Sequence, residues 1–245
     1  IAAVAGIAIA FVGYLGFFFP FITESSVISL LVALVLVWSL VALNMRSVDG
    51  SGTFQVATTL LKILPLLVMI VMGFIHMEPE IMPPLNPTEL HPIALLATVT
   101  TLVMWSFTGV ETAAVPADNM AEPDKLIPRI LLASVLTILV IYFLVSVTIA
   151  MVVPADELLV STAPFSLAAS KMMGPIGGAF ITIGALISTL GSLNANTLTA
   201  GNIPLAAAKD HLFPVRFATV SQAGTPTFSL MVAGCFVTAL LLFNY

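Results

Sequence analysis

The chain has 245 residues, of which 60% are apolar and only 8% charged, with a mean hydropathy of +1.16 and a formal net charge of −5. A soluble domain of that length cannot hide so much apolar surface in one core, because its outer face must be wetted. The small and scattered charge gives no footprint for nucleic acid or an acidic partner, and the lone cysteine, Cys235, excludes an internal disulfide.

A bilayer removes the wetting constraint, and a helix needs about 20 apolar residues to cross it. Seven stretches reach or approach that length, at roughly 1–19, 26–44, 53–75, 92–115, 130–153, 175–203 and 226–245. Turn chemistry separates them: Pro20 and Ser25-Ser26, Asp49 to Gly52, Pro83-Pro84 with Asn86-Pro87, Glu122 to Asp124, and Gly224 to Pro226. No period-two alternation runs through them, which argues against a β-barrel. The expected fold is all-α, a polytopic transmembrane helical bundle in a single domain over 1–245. The chain opens and closes inside apolar runs and lacks a basic signal-peptide region, so it is expected to be truncated at both ends.

Loop charge sets an expected orientation. Arg46 lies in the second connection, Lys125 and Arg129 in the fourth, Lys209 and Arg216 in the sixth. The odd connections hold Lys171 beside Glu24, Glu78, Glu80, Glu89, Asp156 and Glu157. Cationic loops stay cytoplasmic, so the first segment should run from the cytoplasm outward.

Lys62 falls inside the third span, where an ammonium costs about 2.5–3.5 kcal/mol on insertion scales. It should therefore face a partner or a wet cavity, and an ammonium held there is a candidate proton carrier. A snorkelling or structurally paired lysine is the plainer alternative. In the fourth span, Ser106-Phe107-Thr108-Gly109 interrupts the apolar run between Trp105 and Glu111. Interrupted helices expose backbone N–H and C=O groups that bind charged substrates near the midplane; close helix packing uses the same small residues. Glu111 is a functional candidate by the same cost argument, or an interfacial or capping carboxylate. The sixth span carries Gly184, Gly191, Ser192, Asn194, Asn196, Thr197 and Thr199, and should face protein or water rather than lipid. Asn194 and Asn196 cannot share a helical face. His76, His91 and His211 have no metal-site spacing, no nucleophile–base or phosphate-loop motif occurs, and no ring of like charges suggests a channel. Neither an enzyme nor a bound cofactor is expected.

The stretch Trp105-Ser-Phe-Thr-Gly-Val-Glu-Thr-Ala-Ala-Val115, with Asn119 to Arg129, resembles the sixth helix and following loop of amino acid–polyamine–organocation transporters, above all the bacterial basic amino acid/polyamine antiporters such as the arginine/agmatine exchanger. Further similar segments are Gly13-Tyr-Leu, Ala163-Pro-Phe165, Gly191-Ser-Leu193, Ala206 to Pro214 and Ala223 to Pro226. The resemblance implies helices 3 to 9 of a twelve-helix, five-plus-five inverted-repeat transporter in the inner cell membrane. It implies secondary active transport of amino acids by alternating access, proton-coupled or exchanging. Its partners would be an amino-acid substrate, protons and the lipid bilayer, with a homodimer left open. A polyamine or organic-cation exchanger, or a non-transporting sensor of the same fold, is the alternative.

By the same resemblance, Trp105 would stack over the substrate. Ser106, Phe107, Thr108 and Gly109 would form the unwound segment that meets it. Glu111 and Lys62 would be linked to proton coupling. Two positions depart from the arginine exchanger. Val4 or a neighbour stands where its helix-3 asparagine is, and Asn196 stands where its helix-8 tryptophan packs on the substrate. Arginine specificity is therefore not carried over.

Overall fold

The computed structural model describes residues 1–46, 52–84, 86, 91–107, 109, 123–221 and 224–244, with backbone alone at 52–60, 105 and 123. The described residues are helical with turns and contain no strand. They form two compact units, Ile1–Pro65 with Val160–Tyr245, and Leu66–Leu159.

The first unit holds α1 (Ala2–Leu15), α2 (Pro20–Glu24), α3 (Ser26–Arg46), the beginning of α4 (Gly52–His76), α8 (Pro164–Lys209) and α9 (Thr227–Asn244). Helices α1, α3, α8 and α9 pack against one another. Each turns one stripe inward. On α3 the buried residues are Ser29, Ala33, Val37, Leu40, Val41 and Asn44, which recur at helical spacing. Of these, Ala33, Val37, Leu40 and Val41 meet Val4, Ala8 and Val12 of α1, Leu193 of α8, and Leu230, Val237 and Leu241 of α9 in one cluster. The opposite face of α3 exposes Val27, Leu31 and Val35, and that of α9 exposes Met231, Phe236 and Phe243. Apolar side chains on both faces fit a helix bundle solvated by lipid.

Lipid tails are as apolar as leucine, so close packing and interhelical hydrogen bonds must hold such helices together. Both are present. Any Cβ on Gly201 would stand 2.7 Å from Leu230, so the missing side chain lets α8 approach α9. Trp38 Nε1 donates to Thr238 Oγ1 at 3.1 Å, joining α3 to α9. Thr225 Oγ1 donates to the Met45 carbonyl at 3.0 Å, joining the end of α3 to the approach to α9.

Helix α8 begins with Pro164, N-terminal of the apolar run that starts near 175, and it is broken at Gly174, whose φ is 71°. A residue with a Cβ resists that dihedral, and Pro175 behind it offers no N–H to continue the ladder. The two pieces are stitched elsewhere: Thr182 Oγ1 donates to Ser166 Oγ at 2.7 Å, and both residues are fully buried.

The second unit holds the rest of α4, α5 (Pro92–Met104), α6 (Pro123–Ala150) and α7 (Ala155–Val160, whose last residue lies past the boundary). Thr148 of α6 sits over Gly73 of α4, and the Glu78 N–H donates to the Met151 carbonyl at 2.8 Å. Among the described residues, Ser26–Arg46, Asp124–Ala150, Pro164–Lys209 and Thr227–Asn244 are long and apolar enough to cross a membrane. Ala2–Leu15, Leu61–His76 and Pro92–Met104 are shorter apolar helices.

Candidate functional site

The second unit contains the end of α5. The α-helix begun at Pro92 stops at Met104 and tightens into a 3-10 turn over Trp105–Phe107. Gly109 follows with φ of 99°, and a Cβ built there would meet nothing within 4 Å. The requirement for glycine is therefore conformational rather than steric. Tightening from i→i+4 to i→i+3 bonding leaves backbone groups at the end of α5 without helical partners. Ser106 is exposed, whereas Phe107 is half-buried, with its ring edge-on to Tyr142 of α6 at 5.9 Å between centroids. Tyr142 therefore supports the turn from the neighbouring helix, and no local signal in the sequence pairs the two. Only the backbone of Trp105 is described, and Thr108 and Glu111 lie outside the described residues.

The first unit contains the lysine. Lys62 is half-buried on α4, and its ammonium lies against α8 where Gly191 has no side chain; a Cβ there would stand 2.9 Å from Nζ and 3.1 Å from Cε. Pro65 on the same helix packs into a second gap, at Gly184, where a Cβ would be 2.5 Å from Pro65 Cγ. The two glycines are about two turns apart on one stripe of α8, and each takes up a side chain from the start of α4. Pro65 also frees the carbonyl one turn before it, since it has no N–H to offer. No carboxylate pairs with Lys62 among the described residues.

Asn196 lies one helical face away from Asn194, and their side chains behave differently. Asn196 Nδ2 donates to the Ser192 carbonyl of its own helix at 2.9 Å, which leaves its amide oxygen to other partners. Asn194 Oδ1 instead accepts from Asn44 Nδ2 of α3 at 2.8 Å, while Asn44 also donates to the Leu40 carbonyl at 2.9 Å. Asn44 is buried, and sequence reasoning passed it over as the last residue of an apolar run. A single amide inside such a run was the available signal.

Lys62 and Asn196 thus belong to one unit and the turn at 105–109 to the other. Two segments quoted for the family resemblance do come together. Gly13 abuts the Thr162 carbonyl, and the Tyr14 hydroxyl is hydrogen-bonded to the backbone of Phe165 at the start of α8. The family model for amino acid permeases matches residues 1–245. The chain belongs to the amino acid permease family. It is a multi-pass membrane protein of that family.

Similarity to individual permeases extends over most of the chain. An arginine/ornithine antiporter of Latilactobacillus sakei is 29% identical over 236 residues, covering 93% of this chain and 50% of the relative. A putative arginine/ornithine antiporter of Bacillus subtilis (strain 168) is 24% identical, covering 90% of this chain and 51% of the relative. The putrescine transporter PotE of Haemophilus influenzae is 27% identical, covering 99% of this chain and 56% of the relative. The chain spans about half the length of these curated relatives.

Proposed function

We propose that the chain is part of a secondary transporter that exchanges amino acids across the membrane by alternating access, with the interrupted helix after Met104 as part of its substrate site. The observation that carries this reading is the change from α-helix to 3-10 turn at Trp105, followed by the positive φ of Gly109. Carbonyls released from the helical ladder at the end of α5 need partners in a hydrocarbon layer, and the ammonium of an amino acid supplies one.

In this reading Trp105 closes over the bound substrate. Ser106, Phe107, Thr108 and Gly109 present backbone and side-chain groups to it, and Asn196 offers its amide oxygen toward the substrate side chain. Protonation of Glu111 or Lys62 biases the switch between outward-open and inward-open states. Lys62 is suited to the task because its ammonium has no carboxylate partner among the described residues, so its charge weighs heavily on whatever faces it. Similarity to a putrescine transporter favours a second substrate class, a diamine in place of the amino acid. A diamine carries an ammonium like the amino acid but lacks its carboxylate, so the two classes separate on whether the site holds an anion.

The test is counterflow with the full-length protein in liposomes. Labelled arginine, ornithine, putrescine, leucine and alanine are each offered outside against the same unlabelled compound inside. Uptake of ornithine over putrescine supports the amino-acid reading, and the reverse order supports the diamine. Binding of any of them without flux would make the protein a sensor of the same fold.

A further inference from the structure

The outward face of α9 has a feature that the transport reading does not use. An open groove of ≈ 440 Å³ runs along the helix, lined by Phe228, Met231, Val232, Cys235, Phe236 and Ala239. These residues recur at three and four, so they form a single stripe. Met231 and Phe236 are about half exposed. At one end of the stripe stands a cation. The Arg216 guanidinium lies over the Phe228 ring, 5.5 Å from its centroid.

That cation is held in place. Arg216 belongs to a 3-10 turn, Val215–Ala218, between α8 and α9. The turn is pinned by a chain of edge-on rings, Phe213 to Phe217 at 4.8 Å and Phe217 to Phe228 at 4.9 Å. Thr219 Oγ1 donates to the Arg216 carbonyl at 2.8 Å. A guanidinium held over a ring keeps its N–H edges available for a phosphate. Other charges on the segment are Lys209, Asp210 and His211, so Asp210 is its sole carboxylate, and it forms no ion pair with Arg216 among the described residues.

We propose that this face of α9 and Arg216 together bind one anionic phospholipid of the cytoplasmic leaflet, with the phosphate on the guanidinium and an acyl chain along the stripe. Dimensions agree. From Phe228 to Ala239 the helix rises about 16 Å at 1.5 Å per residue, and one leaflet contributes about 15 Å of hydrocarbon. Charge agrees as well. Loop charges place the Arg216 end of α9 on the cytoplasmic side, where anionic lipid headgroups attract basic residues. A protein helix laid over the groove would have to desolvate the guanidinium without a carboxylate to pair it, which is costly. A phospholipid brings the anion and the apolar chain in one molecule.

The test uses the full-length protein in phosphatidylcholine vesicles doped with one of two photoactivatable probes. Both carry a diazirine in the acyl chain; one has a phosphatidylglycerol head and the other a phosphatidylcholine head. Adducts on the peptide containing 228–239 are counted by mass spectrometry. The phosphatidylglycerol probe should label this peptide on the order of fivefold more, the effect expected of one well-placed arginine. Arg216→Gln should bring it down to the phosphatidylcholine level. Equal labelling by the two probes in the unaltered protein would overturn the proposal even if the variant failed to fold. So would preferential labelling that survives Arg216→Gln. Absence of adducts with either probe would mean that another part of the protein, or a second copy, covers the face.

Discussion

The Lys62 ammonium occupies the space that a side chain at Gly191 would need: a Cβ there would fall 2.9 Å from Nζ. The lysine's position on α4 therefore depends on the absence of a side chain on α8. If Lys62 carries the coupling proton, Gly191→Ala should disturb coupling by pushing the ammonium aside while leaving the substrate contacts in place. The measurement is uptake into liposomes with and without an imposed pH gradient. Lys62→Ala is expected to remove the response to the gradient, and Gly191→Ala to reduce it several-fold while retaining exchange. An unaltered response in Lys62→Ala would leave the lysine as a packing element.

Gly109 offers a cleaner separation of backbone from sterics. Its φ of 99° disfavours any L-residue, yet a Cβ there meets no neighbour. Gly109→Ala should therefore cost about 1–2 kcal/mol of local conformational energy without a clash, and the turn should shift toward regular helix. The expected outcome is a loss of transport rate of about five- to thirtyfold with normal membrane insertion. Initial rates of counterflow, set beside thermal unfolding in detergent, check it. Normal flux in this variant would remove the positive φ from the mechanism.

The pair Asn44–Asn194 joins α3 to α8 by one amide hydrogen bond of 2.8 Å. Side-chain hydrogen bonds between membrane helices average about 0.6 kcal/mol in double-mutant cycles, with a maximum near 1.7. Asn44→Ala should destabilise by more than its share of that coupling, since Asn194 Oδ1 is then left without its donor. The double variant Asn44→Ala with Asn194→Ala should recover part of the loss. Unfolding of the four proteins in a cycle gives the coupling directly, and a value near zero would mean that water replaces the bond.

How much of this was legible beforehand follows a physical pattern. Apolar runs were readable as helices because hydrocarbon forces every backbone group into an internal hydrogen bond. The end of α5 near 105 was readable because glycine and small polar residues stand out in an apolar run. What stayed hidden is the facing of helices. The sequence marks Lys62, Gly184 and Gly191 as unusual, but only packing shows that Pro65 and Lys62 lie against those glycines. Asn44 closes an apolar run and has no sequence signal for its partner on α8, Asn194. Tyr142 gave no signal, because an aromatic residue in an apolar helix has many uses. The break at Gly174 could have been read from its Gly-Pro step, which marks a turn. Glu111 and Thr108 lie outside the described residues.

The joint between α1 and the start of α8 supports a last prediction with a definite order. Ala163, the N-cap of α8, makes no side-chain cap, and the first-turn N–H groups of a helix have no partners within it. The Tyr14 hydroxyl, bonded to the backbone of Phe165, supplies from another helix what the cap residue does not. Tyr14→Phe removes that bond and should cost about 1 kcal/mol. Gly13→Ala should cost more, because the new Cβ would stand 2.7 Å from the Thr162 carbonyl oxygen, a backbone atom that cannot swing away. Both changes loosen the same joint, so the double variant should lose less than the sum of the two. Thermal unfolding in detergent, followed by the loss of monodisperse protein, ranks the three. Tyr14→Phe as damaging as Gly13→Ala would make the hydrogen bond, rather than the close approach of the helices, the main tie.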